Sequence, residues 1–311
     1  MKQRISEALG QFDPLFDESK LVGFSNGPSG ETIAIVGPQW AELCCTGVDA
    51  CDFINRMTTL TPHQMEDGAH SPGFILEHNG KIKVSFDLFR RNAQSVSLFC
   101  DPEELELLAD TLSMFHFAEH VEFEQKGPLQ VLVLTGSSTS NLQFADDTVQ
   151  LSPWRGIAGM DLRVCQVDDF ILQINAIFAR QCSIGSHDEF ERLRIGVGMG
   201  MPFREYTAQV TPLDVNGLSG IVQQKGCYPG QEVIERTLAI GRPAKKLVLI
   251  AGDELHSAGE IFNDSKQNVG IITSIVRFDE TSMCGLAIVK GRLDVSQTFH
   301  TDLGNVSLRE I

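Results

Sequence analysis

The sequence has no run of about 18 apolar residues, the length a helix needs to cross a bilayer, so no helical membrane span is expected. Its first residues, MKQRISEALGQFDPLFDESK, lack the apolar core of a secretory signal and are too acidic for a transit peptide. Positive charge is scarce. With 25 Lys and Arg against 41 Asp and Glu, the formal charge is −16. Nucleic-acid phosphates and anionic membrane surfaces are repelled by such a chain unless a local basic patch intervenes. The 8 cysteines form no Cys-x-x-Cys pair and no His/Cys cluster at zinc spacing. The expectation is a cytoplasmic protein with reduced thiols, no resident metal, and neither nucleic acid nor membrane as a partner.

What is present is ordinary for a folded chain of 311 residues: 42% hydrophobic and 21% charged. The length favours more than one packed unit. In a first unit, residues 20–126, strands are expected at 41–46, 73–77, 82–89 and 95–100. Asp49 is expected to cap a helix that carries Ala50, Phe53, Ile54 and Met57 at helical spacing. Asn79-Gly80 supplies the positive φ of a hairpin turn. Pro102 with Glu103 and Glu104 opens a helix that runs to about residue 115. A second unit, 127–243, holds strands near 130–134 and 162–167 and a helix over 188–195. The alternating glycines Gly196, Gly198 and Gly200 follow a helix rather than a strand, so a dinucleotide loop is rejected. From 244 to 311, short β-like runs separated by Gly, Asp and Asn read as a small antiparallel barrel or sandwich. Residues 1–19 read as a helix or a loose arm. Cys44, Cys100 and Cys165 sit in strand-like apolar runs as core residues, and Cys44 and Cys45 are expected on opposite faces of one strand.

One segment concentrates the chemistry. Lys225-Gly226-Cys227-Tyr228-Pro229-Gly230-Gln231-Glu232, continued to Arg236, places a thiol beside an ammonium, between two glycines and ahead of a short helix. A nearby cation and a helix N-terminus favour a thiolate, and glycine lets the backbone approach a ligand or take positive φ. The string resembles the signature Lys-Gly-Cys-Tyr-x-Gly-Gln-Glu-x-x-x-Arg of the YgfZ-type folate-binding proteins, a family implicated in assembling or maintaining iron–sulfur clusters. Fainter likeness extends over roughly residues 40–290: Gly47-x-Asp49-Ala50-x-x-Phe53-Ile54-Asn55-x-x-Thr58-Thr59, Asn79-Gly80-Lys81-Ile82, Leu193-Arg194-Ile195, Pro212-Leu213-Asp214-x-Asn216, and Val269-Gly270-x-x-Thr273-Ser274.

The resemblance implies an α+β fold like that of the glycine-cleavage T-protein: two mixed α/β units and a C-terminal antiparallel β-barrel around a central folate pocket. It also implies tetrahydrofolate, or a related reduced folate, as cofactor, and iron–sulfur proteins or cluster-assembly factors as partners. On the matching positions Cys227 and Lys225 carry the chemistry, and Arg194, Gly226, Tyr228, Gly230, Gln231, Glu232 and Arg236 hold the folate. The sequence departs from the pattern in places. Asp214 stands where Glu is usual. Gln223-Gln224 replaces an aromatic and a hydroxyl residue, and the turn at Met199-Gly200-Met201 is enlarged. The aminomethyltransferases of this superfamily carry a pair of Asp residues on the hairpin strand. Here that pair falls on Val84-Ser85, which argues against one-carbon transfer by their mechanism. Asp87 lies slightly further along the strand.

Each candidate has a plainer reading beside the functional one. Cys227 is either a reactive thiol or a small core residue. Arg236 either holds a ligand or pairs with Glu232 at i,i+4. Tyr228 either stacks on a pterin or fills core space. Gln231 and Glu232 either read the edge of a pterin or cap a helix. Arg194 either grips a ligand carboxylate or braces its own helix. An accessory factor for iron–sulfur proteins is the reading the resemblance favours. A folate-dependent aminomethyltransferase or other one-carbon transferase is the alternative, and a thiol oxidoreductase or iron–sulfur scaffold that ignores folate and a non-catalytic interaction module stand beside it.

Overall fold

A computed structural model describes residues 33–135, 148–151, 155, 160–166, 183–185, 187–252, 255, 259–277 and 282–311. The arm expected over 1–19 and Cys182 lie outside these residues. A large sheet is built from β1 (Ile33–Thr46), β2 (His70–Leu76), β3 (Ile82–Asn92), β4 (Ser95–Cys100), β5 (Glu122–Thr135), β6 (Val149–Leu151), β7 (Met160–Gln166) and β8 (Ser183–Gly185). Its order is β2-β3-β4-β1-β5-β7-β6, with β8 running parallel to the start of β1. The expected unit boundary at 127 falls inside β5, which pairs along nearly all of β1 on one edge and with β7 on the other. Residues on both sides of that boundary therefore share one sheet.

Alternation along the strands sorts the side chains. Leu43 and Cys45 of β1 lie on one face with Val96, Leu98 and Cys100 of β4 and with Val84, Phe86 and Leu88 of β3. Helices α1 (Ala50–Met57) and α2 (Leu105–Met114) close this face through Phe53, Ile54, Leu108 and Leu112. Each such side chain contributes roughly 1.5–3 kcal/mol when fully buried. Cys44, the neighbour of Cys45, pairs across β4 with Ser97 on the opposite face. On that face Trp40 stacks on Phe99 and, with Val131 and Val133, packs against Phe190 and Leu193 of α3 (His187–Gly196).

The cap expected of Asp49 does not form. Asp49 stands at the N-cap of α1, but its carboxylate accepts the His120 backbone N–H at 2.8 Å and meets the His120 ring at 3.2 Å. A partner 71 residues away thus takes the oxygen that local sequence assigns to the helix. Asp101 does cap its turn, accepting the Glu103 N–H at 2.9 Å.

Helix α4 (Gln231–Ile240) follows, and then a closed six-stranded antiparallel barrel: β9 (Lys245–Gly252), β10 (Glu260–Asn263), β11 (Asn268–Arg277), β12 (Met283–Lys290), β13 (Phe299–Thr301) and β14 (Gly304–Glu310), in the order β10-β11-β12-β9-β14-β13. Closure leaves the barrel no free sheet edge. Leu247, Leu249 and Leu286 of its wall join Leu76 and Ile82 of the sheet, Tyr228 and Ile234 in a core that fastens barrel to sheet. No helix among the described residues is long and apolar enough to cross a membrane.

Gly285 marks the tightest point of the barrel wall. A Cβ there would lie 2.0 Å from the Ser274 carbonyl oxygen on the paired strand. Gly285→Ala is expected to cost on the order of 2–3 kcal/mol in urea unfolding, because backbone must move. Gly259→Ala, whose Cβ meets nothing within 4 Å, is the control and is expected to change stability by less than about 1 kcal/mol.

Candidate functional site

Helix α1 ends with carbonyls that have no partner within the helix. Lys225 supplies one. Its Nζ donates to the carbonyls of Asn55 and Thr58, each at 2.6 Å, and to that of Leu60. A cation at a helix C-terminus also suits the helix dipole. The ammonium stands 5.0 Å from the centroid of the Tyr228 ring, a cation–π distance. Burial pushes Lys225 down to about 7. The three carbonyls oppose that fall, since three acceptors need the three N–H groups only the charged form has. Lys225, expected to act beside the thiol, holds the loop to α1.

The loop is fixed at both ends. On entry, the Val222 N–H donates to the Thr59 carbonyl at 2.9 Å, and the Thr59 hydroxyl donates to the Gly220 carbonyl at 2.6 Å. On exit, Gly230 takes φ 80° at the N-cap of α4. A Cβ there would lie 2.6 Å from the Glu77 carbonyl oxygen in the β2–β3 hairpin. Gly80, at φ 77° in that hairpin, would meet Val233 of α4 at 2.9 Å. The two glycines let hairpin and helix touch through their backbones. Gly226 differs from expectation. It does not take positive φ, and a Cβ there would meet nothing within 4 Å. The strained conformation belongs instead to Gln224, at φ 58°.

Between these anchors Cys227 is exposed. Cys44, Cys45, Cys51, Cys100 and Cys284 are all buried. Burial pushes the Cys45 and Cys100 thiols well up, with nearby carboxylates adding to the effect. Tyr228 is the reverse case. It is buried in the core shared by sheet and barrel, and burial together with Glu235 pushes its phenol up to about 12. Its ring faces the Lys225 ammonium and core side chains, which makes it a support for the loop rather than an open stacking surface. Gln231 is drawn into α4, its amide donating to Glu235 at 2.6 Å and to the Lys225 carbonyl at 3.4 Å. Glu232 and Arg236 are exposed, and no ion pair joins them.

Arg194 does not reach this loop's open side. It is 1% exposed. Its Nε and Nη2 donate to the two oxygens of Glu191 at 2.8 and 2.6 Å. Its Nη1 donates to Glu205 at 3.3 Å and to the Met199 carbonyl at 3.2 Å, and Nη2 also donates to the Ser274 hydroxyl at 2.8 Å. These bonds use all five N–H groups of a guanidinium, leaving none for a ligand carboxylate. The expected folate contact is therefore corrected to a structural one. Asp214 is likewise occupied: one oxygen takes the Thr211 N–H and hydroxyl at 2.8 and 2.9 Å, and the other takes the Lys245 N–H at 2.9 Å.

The hairpin strand carries no free carboxylate at the position where the aminomethyltransferases have their Asp pair. Val84 is fully buried under α1 and α2, and the Ser85 hydroxyl donates to Glu104 at 3.4 Å. Asp87 is 1% exposed and held by Arg155 at 2.9 and 3.3 Å, while the same guanidinium contacts the Tyr206 hydroxyl at 3.4 Å. No shift of register frees it, since Asp87 pairs with Pro72 and Phe99 inside the sheet. Glu104 and Arg155 were missed from sequence. Glu104 reads locally only as a helix-opening acid and nothing local marks Arg155, whereas the i,i+3 spacing of Glu191 and Arg194 is a signal that could have found their pair. Among the described residues no group of three His, Cys, Asp or Glu side chains is placed to hold a metal ion.

No protein-family model matches the chain. Its fold is similar to that of the glycine cleavage system aminomethyltransferase T from Bartonella henselae, with a TM-score of 0.75 and 12% identity over 90% of this chain and 85% of that one. At that identity the likeness shows the fold alone: mixed α/β elements with a C-terminal six-stranded antiparallel barrel. An aspartate kinase from Clostridium acetobutylicum matches 46% of this chain and 33% of its own at 12% identity, and its TM-score of 0.28 carries no argument.

Two outcomes follow from the buried charges. Arg194→Met leaves Glu191 and Glu205 buried without their cation and is expected to cost roughly 3–5 kcal/mol by denaturant unfolding. Glu104 gives a pH signature. Burial pushes its carboxyl up to about 8 against the bonds from Ser85. The folded state therefore holds this proton where the unfolded chain, near 4.5, has released it. The stabilisation is full below about 4.5 and is lost as pH rises to about 8. Glu104→Gln should remove that slope, so its stability relative to the parent rises by on the order of a few kcal/mol between pH 5 and pH 8.

Proposed function

We propose that this chain binds tetrahydrofolate or a related reduced folate and serves iron–sulfur proteins, or the factors that assemble and repair their clusters, through the Cys227 thiol. The observation that carries this reading is the contrast among cysteines: Cys227 is exposed while Cys44, Cys45, Cys51, Cys100 and Cys284 are buried. The exposed thiol lies in the segment that matches the YgfZ-type signature, on a loop fastened by Lys225 and Gly230. An accessory factor needs a group reachable by a macromolecular partner, and a thiol on a rigid loop meets that need. The residues fit a folate through their open groups. The Arg236 guanidinium is free to pair bidentately with the glutamyl carboxylate of a folate, the Glu232 carboxylate can accept its N–H groups, and the open space at Gly226 lets the ligand reach backbone. Arg194 and Tyr228 support these groups from within.

The fold favours a second reading, a one-carbon transferase, because the structural likeness is to an aminomethyltransferase. Against it stand Val84, Ser85 and the locked Asp87, none of which offers a free carboxylate to a cationic intermediate.

Calorimetry and thermal unfolding with tetrahydrofolate test the ligand. A ligand that binds only the folded state raises the melting temperature as its concentration passes the dissociation constant. A saturable upward shift is expected, with Arg236→Ala weakening binding by roughly tenfold, about 1.4 kcal/mol. No shift at millimolar tetrahydrofolate contradicts folate binding. Transfer of an aminomethyl group by the purified chain would replace the accessory reading by the transferase one.

A further inference from the structure

A second surface of interest lies on the outer side of α2. Leu108, Ala109 and Leu112 turn that helix's inner side into the core, leaving Leu107 and Met114, seven residues apart, on one outward stripe. They are 43% and 67% exposed, and the chain that follows adds Phe115 at 46% and Phe117 at 84%. A Phe that is almost wholly solvated, just beyond a helix stripe with an exposed Leu and Met, is an apolar patch of the kind that marks an interaction site. Phe117 is not a loose tip. Its N–H and that of Ala118 donate to the Glu119 carboxylate at 3.0 and 3.1 Å, and Arg56 of α1 pairs with the same carboxylate. The backbone that carries the ring is fixed by these bonds.

The charge around the patch specifies what covers it. Glu103, Glu106 and Asp110 are exposed on the same side of α2. No Lys or Arg occurs between Arg91 and Lys126. The nearby cation, Arg56, is already neutralised by Glu119. A second copy of the chain would set acids against acids across a two-fold axis, which is unfavourable. An anionic membrane surface is repelled for the same reason. An apolar stripe rimmed by carboxylates, with an adaptable Met in it, complements a helix with Leu on one side and Lys or Arg on the other.

We propose that the α2 patch of Leu107, Met114, Phe115 and Phe117 docks a basic amphipathic helix of another protein, with Phe117 as the anchor and the α2 carboxylates facing the partner's cations.

The test uses the full chain and a fluorescent Leu/Lys peptide of about 18 residues with helical amphipathic spacing. Its scrambled isomer, with the same charge but no apolar face, is the control. The expected result is saturable binding that weakens with salt, at least roughly tenfold tighter than for the isomer. Met114→Ser with Phe117→Ser should weaken it by a similar factor while leaving net charge and melting temperature unchanged, because both side chains are exposed. Equal binding by parent and variant would mean only general attraction to an acidic protein and would overturn the proposal. Failure of the full chain to bind overturns it too, and binding that then appears on removal of residues 1–32 would assign the patch to the chain's own N-terminal segment. A dimer in light scattering that the variant lacks would assign it to a second copy, again against the proposal.

Discussion

A buried guanidinium holds the parts of this molecule together. Arg194 comes from α3, and its partners come from three places: Glu191 on the same helix, Glu205 and the Met199 carbonyl in the turn that follows, and Ser274 on barrel strand β11. Glu205 in turn accepts the hydroxyls of Thr273 and Ser274, both at 2.6 Å. The same turn supplies Tyr206 and the Gly200 carbonyl to Arg155, which grips Asp87 on β3. A turn of eight residues, 199–206, is thereby joined to helix, sheet and barrel by charge-assisted bonds in a low-dielectric interior. Such bonds are strong when satisfied and costly when one partner is removed. Their main effect is geometric: they fix where the barrel sits against the sheet.

That constraint decides what the site can do. Charged groups that an isolated motif reading would hand to a ligand are spent inside the protein, Arg194 and Asp214 foremost. The hairpin strand, where a transferase of this fold would place its carboxylates, presents an apolar residue, a hydroxyl bound to Glu104 and an Asp bound to Arg155. The loop clamped by Lys225 carries an exposed thiol, and α4 carries the exposed Glu232 and Arg236. The molecule shares the fold of an aminomethyltransferase and carries an exposed thiol at Cys227.

Much of this was legible from sequence. The alternation in β3 and β4, the glycine at 80 and the short β-runs after 244 declare the sheet, the hairpin and the barrel. Helix α4 begins at Gln231, as its Pro-Gly lead-in implies. Hidden features all depend on partners distant in the chain. Asp49 reads as a helix cap until His120 takes its carboxylate. Lys225 reads as a cation beside Cys227, and nothing local shows that it also holds the end of α1, 165 to 170 residues upstream. Gly226 reads as the glycine the backbone needs, but that need is set by the contact of Gly230 with Glu77, which no local pattern shows. The single sheet running through both expected units rests on β1 pairing with β4, β5 and β8, a long-range arrangement that composition cannot announce.

The central claim is that the Cys227 thiol does the work and the fold does not depend on it. The most direct measurement compares cells carrying the parent chain with cells carrying Cys227→Ala, reading the activity of iron–sulfur enzymes under oxidative stress, with the melting temperature of both purified chains beside it. Exposed clusters and thiolates oxidise under such stress. The account expects an unchanged melting temperature and a clear loss of iron–sulfur enzyme activity in the variant. Normal activity in cells whose only copy is Cys227→Ala would contradict it and leave the thiol without a function.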